Sequence, residues 1–504
     1  MVRGSLKYLV GAHLIVLSGC AQLPIRDRPV PRDQGLRLAQ FESETLSTET
    51  NLPIQSPLPL EKPVELAGPL PVEVLIDRAL HENRTVRAAV HNVNSLQYRI
   101  PQVTTLDDPV ASNTLFPIPS VGPQYSLMGY NPYNLTLAQQ FPWFGTLTLQ
   151  GEVASGDVKV ALAELAAAQL DTIEAVKRAY FTLYAALKTD EILSENREIL
   201  EDFLAVAQER LSTGGTQQDV IRAETMISEL DRNRAENQVA VASARAALAR
   251  QVHAHPATEF RTLGELPASG APTEFDRLYE LAVRARPELT GRFAAVDRDT
   301  AAVELARKRF YPNLTLGLTY MDMEKNNAMS LTAAGMPNIG LVVAFNLPVH
   351  RAKYQAGVCE ARERSLADSM LYEAQSDETA AQIQDALVQV KTQQGVLALL
   401  RDSIAPRTLD AFDLARSDYA KANVDYGTVQ SALREKLQVS LQIAMVEAEL
   451  GRAIATLERA VGCELANSDA LGSLTNLPAL APEPEHPPAS GHADPINIRQ
   501  DKPD

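Results

Sequence analysis

The chain has 504 residues, 45 % of them apolar but only 5 % aromatic, and its formal net charge is -16. So acidic a balance excludes nucleic acid as a natural partner, because phosphates would be repelled. Few aromatics beside plentiful Ala point to closely packed helices, as bundles or coiled coils, rather than to a row of globular domains.

At the N-terminus, Arg3 and Lys7 precede an apolar run from Tyr8 to Leu17, which ends in Leu17-Ser18-Gly19-Cys20. The run is too short to cross a bilayer but suits the core of a secretion signal, and the small Ser18 and Gly19 give a peptidase access to the bond before Cys20. This predicts a signal peptide over 1–19 and an acylated Cys20 as lipid anchor. Ala21, where an inner-membrane lipoprotein would carry Asp, resembles the bacterial lipoproteins of the outer membrane. Residues 20–70, rich in Pro, Ser, Thr and Glu, read as an extended tether.

A first repeat is expected over 71–265. Its helical stretch from Thr85 to Ile100 leads into a strand from Pro109 to Phe116, which alternates poorly, and a second from Asn134 to Phe141. A helix follows from Thr146 to Leu211, with Ile173, Val176, Tyr180, Leu183 and Leu187 spaced by three and four as in a coiled-coil seam. At 1.5 Å per residue it is roughly 100 Å long. After a break at Ser212 to Thr216, the returning helix has only about 36 residues, so it needs the shorter helix stacked on it to match the long one.

The second repeat, over 266–465, has the same order. A helix from Glu288 to Arg309 leads into strands from Asn313 to Met321 and Asn338 to Leu347. A long helix from Arg351 to Lys421 carries the seam Ile383, Leu387, Val390, Gln394 and Leu397, then a break at Ala422 to Asp425 and a returning helix. Leu75-Ile76-Asp77-Arg78-Ala79-Leu80 matches Leu278-Tyr279-Glu280-Leu281-Ala282-Val283 at an offset of about 203 residues, and the later landmarks match at about 206 to 208. Such constancy implies duplication. Residues 466–504, with Pro482-Glu483-Pro484-Glu485, read as a disordered tail.

The strands have one apolar face. Leu135, Leu137, Leu314, Leu316, Leu318, Ile339, Leu341, Val343 and Phe345 alternate with polar or small residues, and aromatics flank the ends. With no second sheet to cover it, that face suits lipid in an outer-membrane barrel. Four strands do not close, and open edges in lipid leave backbone groups unsatisfied, so the barrel must be shared among chains. The expected fold class is therefore mainly α, an α-helical barrel of long antiparallel coiled coils, with four strands per chain joining a membrane β-barrel.

No CxxC, HExxH, GxSxG or phosphate-binding glycine loop occurs, so the chain does not read as an enzyme, and neither a cofactor nor a metal site is expected. His253 and His255 read as solvated. Cys359 and Cys463 fall near the strand end and at mid-height, on the order of 40 Å apart by helix rise, and a disulfide needs Cα atoms within about 7 Å. Met321, Met323, Met329 and Met336 gather around the second outer loop; Cu(I) binding and rim packing both fit them.

Across about residues 70–465 the chain resembles the TolC-like outer-membrane efflux family. The resemblance is carried by the duplicated order, by Gln140-Phe141-Pro142-Trp143-Phe144-Gly145, by Asn346-Leu347-Pro348-Val349 and by Thr213-Gly214-Gly215-Thr216-Gln217-Gln218-Asp219-Val220. It implies a homotrimer with a twelve-stranded barrel on a periplasmic helical tunnel, in the outer membrane of a Gram-negative bacterium. Its role would be a passive exit duct working with a periplasmic adaptor protein and an inner-membrane pump. A type I secretion duct and a non-conducting structural coiled-coil lipoprotein are the alternatives.

By the same resemblance, the tip turns at Gly214, Gly215, Ala422 and Asn423 would dock the adaptor, and Asp219 and Asp425 would ring the closed aperture. For Asp219 a second reading stands, a helix N-terminal acid favoured by the macrodipole. In the second repeat Thr428 and Ser431 occupy the family's usual acidic positions. The Phe-Pro-Trp-Phe-Gly and Gln-Gln-Asp segments resemble the heavy-metal efflux branch more than the drug-efflux branch.

Overall fold

The computed structural model describes residues 69–115, 130–212, 214–263, 274–324, 336–421 and 423–465. Cys20, Ala422 and Met329, the tether and the tail lie outside them.

The first repeat holds helices α1 (Val72–Glu82) and α2 (Arg84–Thr104), strands β1 (Val110–Leu115) and β2 (Tyr130–Phe141), and helices α3 (Thr146–Ser212) and α4 (Gln217–Gln251). The second holds α5 (Phe275–Ala285), α6 (Pro287–Lys308), β3 (Leu314–Glu324), β4 (Asn338–Phe345), α7 (Arg351–Leu399), a π-turn (Leu400–Ile404), α8 (Ala405–Ala420) and α9 (Tyr426–Val461).

Small residues let these helices approach closely, and their apolar stripes meet at three levels. Near the sheet, Val86 and Val93 of α2 pack on Val158, Ala161 and Leu165 of α3. At mid-height Leu75 and Ala79 of α1 meet Val176, Tyr180 and Leu183 of α3 and Leu248 of α4. The second repeat rebuilds that cluster with Leu278, Ala282, Ile383, Leu387, Val390 and Leu457. At the far end both repeats share one core, in which Leu200, Phe203, Met226 and Leu230 pack with Phe412, Tyr419, Tyr426 and Leu433. The duplication extends to the backbone. The left-handed conformation at Gly462, φ 89°, has its counterpart in His253, φ 51°, just past the end of the other returning helix.

The second long helix is not continuous. Expected unbroken from Arg351 to Lys421, it contains the π-turn, where the Ala405 amide reaches back to the Leu400 carbonyl. A single extra residue explains it. Buried Leu193 and Leu400 match at a separation of about 207 residues, whereas Ala207 and Ala415 beyond the turn match at about 208. The wider loop absorbs the insertion so that both flanks keep their seam inward. Pro406, with no amide hydrogen, sits directly beyond it.

Ion pairs tie the repeats together. Arg298 of α6 reaches Asp157 of α3 at 3.4 Å and Asp368 of α7 at 3.1 Å, besides its neighbour Asp299 at 2.7 Å. Lys177 of α3 meets Glu458 of α9 at 2.6 Å, and Arg459 bridges Asp171 and Glu288. Buried charges are costly unless paired, and these are paired.

Candidate functional site

The four strands form one antiparallel sheet in the order β1-β2-β3-β4, so the two hairpins join through β2 and β3. Register fixes the faces. Leu135, Tyr320 and Ile339 stand in one row, Leu137, Leu318 and Leu341 in the next, and Phe141, Leu314 and Phe345 in another. This apolar face is the open one: Leu318 is 59 % exposed, Ile339 72 % and Leu341 73 %, and only Leu314 of the residues singled out from the sequence is half-covered.

The opposite face carries small and polar residues and is more covered. Gly317 and Thr319 are buried and Thr136, Ala138, Thr315, Gly340 and Val342 half-covered, although Gln140 and Ala344 near the helical end are exposed. Thr319 is buried, 2.8 Å from the Thr136 hydroxyl and donating to Asn134 at 2.6 Å. Gly317 stands between them and the helices, and a β-carbon there would come within 2.8 Å of the Leu137 carbonyl oxygen. The sheet is thus inside out by the standard of a water-soluble protein, in which the apolar face would be hidden. The poorly alternating β1 explains itself in the register, since Asn113 falls opposite Leu135 in the apolar row.

At the helical end of the sheet, the β2–α3 and α6–β3 loops are joined by Trp143 stacked on Tyr311, with ring centroids 5.0 Å apart. Phe144 beside them is 84 % exposed. Among the described residues no helix is long and apolar enough to cross a membrane.

The tip lies at the other end of the long helices. Gly214 takes φ 109°, a left-handed conformation that suits glycine. Positive φ at both tip glycines is the natural expectation from their freedom, but Gly215 does not adopt it. It is needed for space instead, because a β-carbon there would meet the Arg210 backbone at 2.9 Å, where the Gly215 amide donates to the Arg210 carbonyl. Asn423 is exposed in the other turn, its amide bonded to the Asp418 carbonyl at 2.9 Å.

Asp219 stands in the first turn of α4, half-buried, and its charge reaches Tyr426 of the second repeat. Burial first, and then the neighbouring Tyr419 and Asp219, push the Tyr426 phenol up to about 12. Asp425 caps α9, accepting from the Thr428 hydroxyl at 2.5 Å and the Thr428 amide at 3.2 Å. Those two bonds, helped by the Arg222 charge, hold its carboxyl below the usual range. Thr428 is thereby committed to capping, while Ser431 donates to the Gly427 carbonyl. Arg210 lies 4.3 Å from the centre of the Tyr419 ring, so a cation of one hairpin rests on an aromatic of the other.

Cys359 and Cys463 are both free thiols. No group of three or more metal-ligating side chains occurs among the described residues. His253 is exposed and His255 half-buried, its ring accepting from the Ala257 amide.

Comparison with known proteins places this arrangement. Residues 278–463 match the family model described as outer membrane efflux protein. Over that stretch the chain is similar to the outer-membrane efflux proteins. It is 22 % identical over 411 residues to the cobalt-zinc-cadmium resistance protein CzcC of Cupriavidus metallidurans, covering 79 % of this chain and 91 % of that one. Among solved structures, the outer-membrane channel OprN matches with a TM-score of 0.62 at 20 % identity, over 78 % of this chain and 90 % of its own. CusC gives 0.62 at 17 %, over 80 % and 99 %. The outer membrane protein VceC of Vibrio cholerae gives 0.63 at 17 %, over 78 % and 96 %.

Proposed function

We propose that the chain is one subunit of a trimeric outer-membrane efflux channel, a passive duct whose sheet lies in lipid and whose helices enclose a periplasmic passage. The observation that carries this reading is the inside-out sheet with two unpaired edges, β1 and β4. An apolar face wants lipid, but lipid does not satisfy the backbone groups of an open edge, at a cost of several kcal/mol for each group. Pairing β1 of one copy with β4 of the next removes both edges. Three copies of a four-stranded sheet make twelve strands, a closed barrel within the size range of outer-membrane proteins.

In this reading Cys20 carries the lipid anchor, and the turns at Gly214, Gly215, Ala422 and Asn423 meet a periplasmic adaptor that joins the duct to an inner-membrane pump. Asp219 and Asp425 line the narrow end. The likeness to the cobalt-zinc-cadmium resistance protein CzcC favours metal ions as cargo, passing through without a resident site. Native mass spectrometry of the detergent-extracted protein tests the assembly. Three chains are predicted; a folded, membrane-derived monomer would overturn the reading.

A further inference from the structure

Where the sheet meets the helices, the second repeat presents a group of cations that the helices themselves do not use. Lys308 and Arg309 close α6, and Arg351 and Lys353 open α7. The two helix ends are held together by Phe310 against Tyr354, ring centroids 5.7 Å apart. Lys308 reaches the neighbouring loop, its ammonium 3.6 Å from where a β-carbon on Gly145 would stand. Among the described residues none of these four has an ion-pair partner, whereas Arg307 beside them is paired with Glu304.

Helix stability does not account for the group. Bases complement the dipole at the end of α6, but at the start of α7 they oppose it, and no acid occupies that first turn. Nor is the group a general feature of the junction, since the matching stretches of the first repeat, Gln102 to Leu106 before β1 and Pro142 to Leu149 after β2, carry no charge. The surroundings are apolar: Phe144 is 84 % exposed, Leu347 76 % and Val349 70 %, with the Trp143–Tyr311 stack between the loops. Cations rimming an apolar surface, with aromatics at the boundary, match the headgroup level of a bilayer.

We infer that Lys308, Arg309, Arg351 and Lys353 form a docking surface for anionic phospholipid headgroups in the periplasmic leaflet of the outer membrane. The inference rests on the membrane reading of the sheet and names the lipid class that the reading leaves open. Because only the second repeat carries these cations, the surface is one discrete patch per subunit and not a continuous ring.

Trp143, the single tryptophan of the chain, sits inside the patch and reports on it directly. The experiment reconstitutes the full chain in vesicles and measures quenching of its fluorescence by brominated phosphatidylglycerol and by brominated phosphatidylcholine. The inference predicts a relative binding constant at least about five-fold higher for phosphatidylglycerol, the factor that about 1 kcal/mol from one cation near an anionic surface supplies. Raised salt should shrink the preference. A variant with Lys308, Arg309, Arg351 and Lys353 all changed to Gln should lose it while phosphatidylcholine still quenches. If that variant does not assemble, the two paired substitutions Lys308→Gln/Arg309→Gln and Arg351→Gln/Lys353→Gln should each lower the preference.

Equal quenching of the parent protein by both lipids, or a preference that survives the substitutions, would overturn the inference and leave the membrane reading standing. Quenching by neither lipid would overturn both.

Discussion

Leu316 and Thr315 are neighbours in sequence on opposite faces of β3, and they separate the two environments of the sheet. Leu316 is exposed on the apolar face, between Gln139 and Val343, while Thr315 lies on the polar face beside Gln140 and Ala344. Leu316→Arg is expected to destabilise the membrane-inserted form by roughly 2 to 4 kcal/mol if the residue lies at the bilayer midplane, and less near an interface. Thr315→Arg should be tolerated. Heat-resistance of the assembled oligomer on gels reads the difference; equal behaviour of the two variants would contradict the assignment of faces.

Glu288 shows how the mid-height ion pairs depend on pH. Burial alone would raise its carboxyl, but the hydrogen bond and charge of Arg459, with Arg286 adding, outweigh burial and hold it below its ordinary 4.5. A carboxyl depressed in the folded state stabilises fully above its unfolded pKa and loses that contribution as pH falls through the folded value. The protein should therefore lose stability in acid, and Glu288→Gln should be less stable at neutral pH with a flatter acid limb. Thermal melts between pH 7 and about pH 3 check this; parallel curves for the two proteins would contradict it. Cys463 differs in kind, its thiol pushed up to about 11 by burial first and then by Glu458 and Glu464.

At the scale of elements, much was legible in the sequence because long periodic runs average out local noise. The helix expected from Thr146 to Leu211 is found at Thr146–Ser212, and the alternating segment at Asn313 proves to be the strand Leu314–Glu324. The π-turn was not legible. One inserted residue rotates the helical pattern by about 100°, and over a single turn that looks like ordinary variation in an Ala-rich stretch. Capping was equally hidden, since Asp425 reads as a candidate pore acid while its bonds to Thr428 appear only in three dimensions. The patch at Lys308 and Arg351 is split by 43 residues of sequence (351 − 308) and became visible once Phe310 and Tyr354 brought the helix ends together.

The insertion makes its own prediction. Deleting Ser403 should convert the π-turn into regular helix and keep both flanking seams inward, so that circular dichroism and melting change little. Deleting Gln394, in the regular part of α7, should rotate the rest of the seam out of its core and lower the melting temperature sharply. Equal cost for the two deletions would mean that the π-turn is not an absorbed insertion.

For the whole molecule, the sheet and the tip make one claim: lipid at one end and a narrow, charged passage at the other. Asp219 and Asp425 sit in the first turn or cap of the two returning helices, at the end where both repeats share a core. Brought around a threefold axis they would favour cations over anions, an effect that salt should weaken because exposed charges are screened over about 10 Å at roughly 0.1 M. Asn at both positions tests this, since at 425 an amide oxygen still caps α9 as the carboxylate does, and at 219, inside the first turn of α4, the change removes only the charge. The double variant should show lower cation selectivity at low salt with assembly intact; unchanged selectivity would place both residues away from the passage.

The most direct measurement is a planar-bilayer recording of the purified parent protein. The account predicts discrete conductance steps of uniform size from a preparation that is trimeric by mass. A trimeric preparation that inserts and passes no current would contradict the channel and leave a structural coiled-coil lipoprotein as the better description.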